Sequence, residues 1–455
     1  MTNVFLKLTA AMMVYSYLTL GWSEEIDPRV ERVRRDLGYY RQHEAKELTS
    51  EIHALREEFR LSLERQSKRI QQIEEELKRL QTVEVKPNPP PPLAPPEPAQ
   101  AVSTSLPPNL KPNNNVSVCY QGCDFQDLQQ AVNATPPGGV VMVAAQINGT
   151  CAIINKPMRL VGLRGKDGSR THLVGGVCIG KGPLVINGPN ISIEGIEISG
   201  IQVGDGNGAC IRLDPGSRDI TIKNVYCHDS QDGLLGGFTG RLTIEDSVFE
   251  ANGFGNGQAH GIYLTHGNEL LISRSKILST VNAGHSLKSG VQKVIVEDSI
   301  IAALNSHNSR ALDAFAGGDI TLRRNVIQQG PDSDNSEVIG LALEPTRLLP
   351  YGHSLLLEDN WIIFDDDRRG GKILFRGKKL GPIVVRNNLM VGLNGMGMDG
   401  IKQEGNRWAE NRKQVGLPPY DGTLASLPSP GKRPTELDYS KIPSSPGFSW
   451  RNIFR

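Results

Sequence analysis

The sequence predicts an all-β solenoid, a single-stranded parallel β-helix, preceded by an N-terminal α-helical coiled coil. Three observations predict it. An apolar-alternating block keeps returning, a heptad-like stripe runs through the N-terminal region, and a proline-rich stretch divides the two. The block reads ISIEGIEI at 191–198, ITIKNVYC at 220–227 and LTIEDSVF at 242–249. It returns as LLISRSKI at 270, VIVEDSII at 294, ITLRRNVI at 320, LLLEDNWI at 355 and IVVRNNLM at 383. Starts 22 to 35 residues apart are the mark of a solenoid. Within each block the apolar residues alternate, as in a strand. A polar pair such as Glu297-Asp298 or Glu358-Asp359 then interrupts them and reads as a corner. Two strands around a bend, with a third before the next bend, make one coil.

Residues 1–23 read as a signal peptide. Lys7 precedes an apolar run from Leu8 to Trp22, small Gly21 and Ser23 stand two apart before a cleavage point after Ser23, and acidic Glu24-Glu25 follow. The run falls short of the roughly 20 residues that span a bilayer. Cleavage implies a periplasmic or secreted protein, and an uncleaved N-terminal membrane anchor is the alternative.

Residues 24–85 read as a coiled-coil stalk. Ile52, Leu55, Phe59, Leu63, Gln66, Ile70, Ile73, Leu77 and Leu80 follow a 3,4 spacing with one stutter. Ile26, Val30, Val33, Leu37 and Tyr40 carry the pattern upstream. A lone helix of this kind would leave its stripe wet, so a homo-oligomer, dimer or trimer, is expected. Residues 86–115, dense in proline, read as a semi-rigid polyproline spacer. The β-helix is placed at 116–394. Its entrance, DFQDLQQAV, reads as a short helix covering the open end of the first coil. Residues 395–455 read as an irregular tail over the last coils.

Fifty basic against 49 acidic residues leave a net charge of +1, which argues against nucleic acid as a partner. The six cysteines are Cys119, Cys123, Cys151, Cys178, Cys210 and Cys227. No zinc spacing is present among them. One or two disulfides near the N-terminal end of the solenoid are expected, with the connectivity open. Cys227, at an inward position, reads equally well as a buried free thiol.

The segments GACIRLD, DGLLGG, AHGIYLT, GHSLKSG and SRALDAFAGGD resemble an unassigned group of bacterial right-handed β-helix proteins. The stretch 116–394 is similar to the right-handed parallel β-helix, pectin-lyase-like superfamily. The resemblance supplies the handedness. It does not choose a reaction, because the superfamily holds lyases, hydrolases, esterases, epimerases and non-catalytic adhesins.

Aligning the short strand before each block puts Ile211, Leu234, Ile262, Leu287 and Leu312 in one inward column. The next residues, Arg212, Leu235, Tyr263, Lys288 and Asp313, should point outward. Two positions before the inward residue stand Ala209, Asp232, His260, His285 and Arg310. Coils stack about 4.8 Å apart. Six candidates therefore share one face: His260, Tyr263, His285, Lys288, Arg310 and Asp313. The glycine-rich loop ANGFGNGQAHG at 251–261 should border them, with His266, Glu250 and Glu344 as weaker additions. Each has an ordinary reading too. Lys288 beside Asp313 can be a surface ion pair worth little, and Asp229 and Asp232 can serve turns.

Cleavage of a uronate polymer by β-elimination needs a base for the C5 proton and a cation on the carboxylate. His260 or His285 suits the first role, Arg310 or Lys288 the second, and Tyr263 can protonate the leaving oxygen. C5 epimerisation needs the same set. The resemblance implies as much, since lyases and epimerases of this fold use such combinations. A hydrolase needs two carboxyl groups about 5–9.5 Å apart, and Asp313 has no clear second. No cofactor is expected, although a single calcium near the carboxylates stays open. The expected partner is an acidic polysaccharide. The second class of function is a polysaccharide-binding or structural envelope protein whose stalk adds avidity.

Overall fold

The computed structural model describes residues 114–446 apart from 145, 256, 351, 367–369 and 432–437. The signal peptide, the coiled coil and nearly all of the proline-rich spacer lie outside the described residues.

The described chain is a parallel β-solenoid. The repeated blocks stack start on start: Ile191 pairs with Ile220, Ile220 with Leu242, and Leu242 with Leu270. Val294, Ile320, Leu355 and Ile383 continue the column. The second half of each block forms its own sheet of eleven parallel strands, in which Cys227, Phe249, Ile277, Ile301 and Ile327 stack in register. The first half shares a nineteen-stranded sheet with the short strand that precedes it. The two columns join because strands Ile262–Ser273 and Leu287–Glu297 run through both without a break.

The polar pairs are the corners. Their second residues, Asn224, Asp246, Arg274, Asp298, Arg324, Asp359 and Asn387, all have φ between 47° and 57°. Asn and Asp tolerate this left-handed conformation best, because a short polar side chain can bond the local backbone. From Ser247 onward the residue after each corner turns inward and carries a polar ladder up the core. The backbone N–H of Ser275 donates to Ser299 Oγ at 3.1 Å, and that of Ser299 to Asn325 Oδ1 at 3.0 Å. Asn325 donates to Asn360 and Asn360 to Asn388, each at 2.9 Å, and Asn388 to Asn406 at 3.0 Å. A bend cannot make strand ladder bonds, so these side chains satisfy its buried N–H groups.

The remainder of the interior is mostly aliphatic, with Phe238, Phe249 and Phe375 among its largest buried side chains. Ile211, Leu234, Ile262, Leu287 and Leu312 are buried in one column as the alignment required. Helix Leu128–Ala134 closes the first coil, burying Leu128, Ala131 and Val132, and Asp127 caps it by accepting from the Gln130 N–H at 2.8 Å.

Two sequence expectations are corrected. Stacking continues past 394 through Lys402–Glu404 and Arg407–Ala409, because Asn406 extends the corner ladder and Trp408 continues the inward column. Beyond that coil the tail crosses the outer face of the smaller sheet. There Val415 and Ile442 pack with Trp361, Ile363, Leu389 and Val391, and Arg412 binds Asp365 at 2.7 and 2.9 Å. The second correction concerns cysteine. Three disulfides are present, Cys119–Cys123, Cys151–Cys178 and Cys210–Cys227. Cys227 is therefore not a free thiol. The buried Cys210, on the strand before the corner, lies within bonding reach, with the two Cα atoms 6.1 Å apart.

Candidate active site

The register that builds the core also builds the candidate site. Tyr263 pairs with Lys288 and Lys288 with Asp313 on adjacent coils. His260 and His285 stack one coil apart with ring centroids 5.3 Å apart, and the Tyr263 ring meets His260 edge-on at 5.0 Å. The alignment thus brings all six candidates together on neighbouring coils.

They do not all face solvent, which corrects the expected outward row. His260 is 1% exposed, Asp313 4% and His285 9%. They form a buried floor, and Tyr263 and Lys288 form the half-buried layer above it. Against the Tyr263 and Lys288 layer lies the chain that leaves the strand Glu337–Leu341. It runs back along Phe315 and Ala316, with the Glu344 N–H donating to Phe315 O and the Leu349 N–H to Ala316 O. A short 3-10 turn, Pro345–Arg347, sits on this segment.

The pairing also differs from the expected one. Asp313 turns toward His285, its Oδ2 lying 3.2 Å from Nε2. Gly340 permits this, since an added Cβ there would meet Asp313 Oδ1 at 2.9 Å. Lys288 binds Glu344 at 3.0 Å instead of Asp313. Its ammonium also lies 5.2 Å from the Tyr263 ring centre and 5.5 Å from that of Phe315. Arg310 binds Glu337 at 3.2 Å and Asn335 at 3.1 Å, which turns it away from the rim. Arg347 donates to the Tyr263 hydroxyl at 3.1 Å and to Glu344 at 3.0 Å, and stacks 4.3 Å from the Phe315 ring centre.

Of the weaker candidates, Glu344 belongs to the site. Glu250 lies on the other sheet, where Tyr226 donates to it at 2.8 Å. His266 is exposed and contacts Thr265. Asp232 is buried and accepts the His260 N–H at 2.8 Å, while Asp229 holds a positive-φ position beside His228. The sequence reading missed Glu337, Arg347 and Phe315. Glu337 was legible, because Leu312 pairs with Ile339 and the column simply continues one coil further. Arg347 lies in an irregular segment and has no periodic signal.

Burial sets the protonation of the floor. It pushes His260 down to about 3, with Lys288 adding to the effect. Burial, then His260, Arg310 and Lys288, push His285 down to about 2. Asp313 is raised by burial against the pull of Lys288 and Arg310. Burial pushes Asp232 up to about 8. Glu344 is opposed by burial, yet bonds from Lys288 and Arg347 hold it below the usual carboxylate range. Three site atoms, His285 Nδ1, Asp313 Oδ1 and Arg310 Nε, are buried without a protein hydrogen-bond partner. Such groups cost stability and concentrate where a structure serves chemistry or binding.

Residues 184–339, which carry most of this site, match the family described as Right handed beta helix region. That stretch is a right-handed β-helix. The expected right-handed β-helix is thereby borne out over that stretch. Comparison with curated proteins finds no match. Among solved structures, the β-helix is similar in fold to pectate lyase Pel9A, at 12% identity over 68% of this chain and 84% of that one, with a TM-score of 0.44. The Azotobacter vinelandii mannuronan C-5 epimerase AlgE4 A-module is 15% identical over 62% of this chain and 91% of its own, with a TM-score of 0.38. A tailspike protein gp49 from Acinetobacter baumannii bacteriophage Fri1, a capsular polysaccharide depolymerase, is 13% identical over 64% and 57%, with a TM-score of 0.36. These likenesses are of fold alone.

Proposed function

We propose that this protein is an exported carbohydrate-active β-helix that acts on a uronate-containing polysaccharide by β-elimination or C5 epimerisation. One observation carries the reading: Tyr263 sits with Arg347 on its hydroxyl and Lys288 over its ring, above two neutral histidines. A phenol held by a guanidinium at its oxygen, with an ammonium over its ring, is placed to exchange a proton with a bound substrate. In this reading Lys288 and Arg347 neutralise the substrate carboxylate, and Tyr263 removes the C5 proton. For a lyase, the electrons of that C–H bond form the C4–C5 double bond, the C4–O bond breaks, and the leaving oxygen takes a proton from Tyr263. For an epimerase, Tyr263 keeps the proton it took and a water molecule on the opposite face gives one to C5. His260, His285, Asp313 and Arg310 position this layer from below. No cofactor is invoked. The three disulfides support an oxidising compartment, periplasmic or extracellular. The coiled coil would make the protein a dimer or trimer and raise its avidity for a repeating polymer.

A second reading, binding without turnover, is favoured by Glu344, which already holds both Lys288 and Arg347. Incubating the protein with alginate, pectate and bacterial exopolysaccharides separates the two. Ultraviolet absorbance reports the unsaturated product, proton NMR reports C5 inversion, and retention on immobilised polymer reports binding.

A further inference from the structure

On the smaller sheet, away from the Tyr263 column, three donors from successive coils converge. His172 pairs in register with Glu197, and Tyr226, two residues before His228, pairs with Glu197 on the next coil. His172 Nδ1 lies 3.5 Å from Glu197 Oε1, and His228 Nε2 lies 3.2 Å from the same oxygen. One donor atom from each residue lies within 4.8 Å of both others. A tetrahedral zinc with bonds of about 2.0–2.1 Å holds its ligand atoms about 3.4 Å apart. The side chains are 22%, 23% and 17% exposed, so the cluster is accessible to an ion from solvent.

The far nitrogen of each ring is also held. His228 Nδ1 meets Asp229 Oδ2 at 2.7 Å, and His172 Nε2 meets Ser199 Oγ at 2.8 Å. Each partner can take the ring proton, which leaves the lone pair of the near nitrogen aimed at Glu197. Carboxylate or hydroxyl support behind a histidine ligand is what orients it toward a metal. The Tyr226 ring stacks on His228 at 4.4 Å and fixes its plane.

We propose that His172, Glu197 and His228 form a binding site for a first-row divalent transition metal such as zinc, pinning three consecutive coils together. Two imidazoles and one carboxylate suit zinc and its neighbours. They do not suit calcium, which takes six to eight oxygens.

The test is calorimetric titration of the full-length, chelator-stripped protein with zinc chloride at pH 7.5, with calcium chloride as the comparison. The site predicts one strong zinc per chain, a zinc-dependent rise in melting temperature, and no competition from millimolar calcium. Glu197→Gln and His228→Asn should abolish that site with the circular dichroism unchanged. Asp229→Asn, which leaves all three ligands in place, should weaken it by about 10–100-fold. Absence of a strong zinc site overturns the proposal. So does zinc affinity that is unchanged in Glu197→Gln and Asp229→Asn, or calcium binding as well as zinc.

Discussion

The backbone N–H of His285 donates to Nδ1 of His260 across 3.0 Å, one coil of the solenoid binding the next through an imidazole. An acceptor nitrogen carries no proton, so neutral His260 holds its proton on Nε2. Burial holds both rings neutral, down to about 3 for His260 and about 2 for His285. Long-range proton–nitrogen NMR of labelled protein should show both imidazoles uncharged from pH 8 to pH 5, with His260 as the Nε2–H tautomer. A charged ring at pH 6, or the Nδ1–H form of His260, would contradict the site's geometry.

Asp232 gives a stability prediction with a definite sign. Its carboxyl is pushed up to about 8 by burial, from an unfolded value of about 4. Between those values the folded chain keeps a proton that the unfolded chain has lost, so this group's contribution falls as pH rises. Asp232→Asn cannot ionise and can still accept the His260 N–H. Relative to wild type, the variant should gain stability as pH rises between pH 4 and 8, by on the order of 1 kcal/mol per pH unit. Urea denaturation at several pH values checks this, and parallel curves for the two proteins would refute it.

The corner ladder should be the costly polar element of the core. Asn360 accepts from the Asn325 N–H at 2.9 Å and donates to Leu322 O at 2.8 Å, with all of these groups buried. Asn360→Leu strands both groups. Each orphaned buried group costs about 1–3 kcal/mol, so a loss of roughly 2–5 kcal/mol is expected by denaturant unfolding. A loss below about 1 kcal/mol would show that the ladder is dispensable.

The disulfides offer a covalent check. Peptide mapping without reduction should recover Cys119–Cys123, Cys151–Cys178 and Cys210–Cys227. Removing Cys210–Cys227 with a pair of alanines opens a 17-residue separation and should cost about 3 kcal/mol. A free Cys227 thiol in the native protein would contradict this pairing.

The fold was legible because the core obeys one rule on every coil. Inward residues repeat with period two, and a polar pair marks each bend, so eight blocks aligned without a gap. The site was legible only as far as the strands carry it. His260, Tyr263, His285, Lys288, Arg310 and Asp313 occupy equivalent positions and were found together. Their depth was not, and neither was the segment that leaves the strand Glu337–Leu341, which follows no repeat. That segment also brings Arg347 to Tyr263 and Glu344 to Lys288, and redirects the pairing expected between Lys288 and Asp313. The corner ladder was hidden for another reason: Ser299, Asn325 and Asn360 are polar and directly follow a corner, yet they turn inward.

The central claim is that the layer above the histidine floor performs proton transfer at C5 of a uronate. Turnover of the uronate polymers by wild type, Tyr263→Phe, Lys288→Ala and His285→Gln tests it most directly. The account predicts that wild type yields an unsaturated product or an inverted C5 on at least one polymer. Tyr263→Phe and Lys288→Ala should each lower that rate by at least about 10²-fold, the scale of losing a general acid–base or a charge stabiliser. His285→Gln should lower it less, since that side chain acts from below, and all variants should keep a strand-dominated circular dichroism spectrum. Normal turnover by Tyr263→Phe and Lys288→Ala, or no reaction of wild type with any uronate polymer, would contradict it.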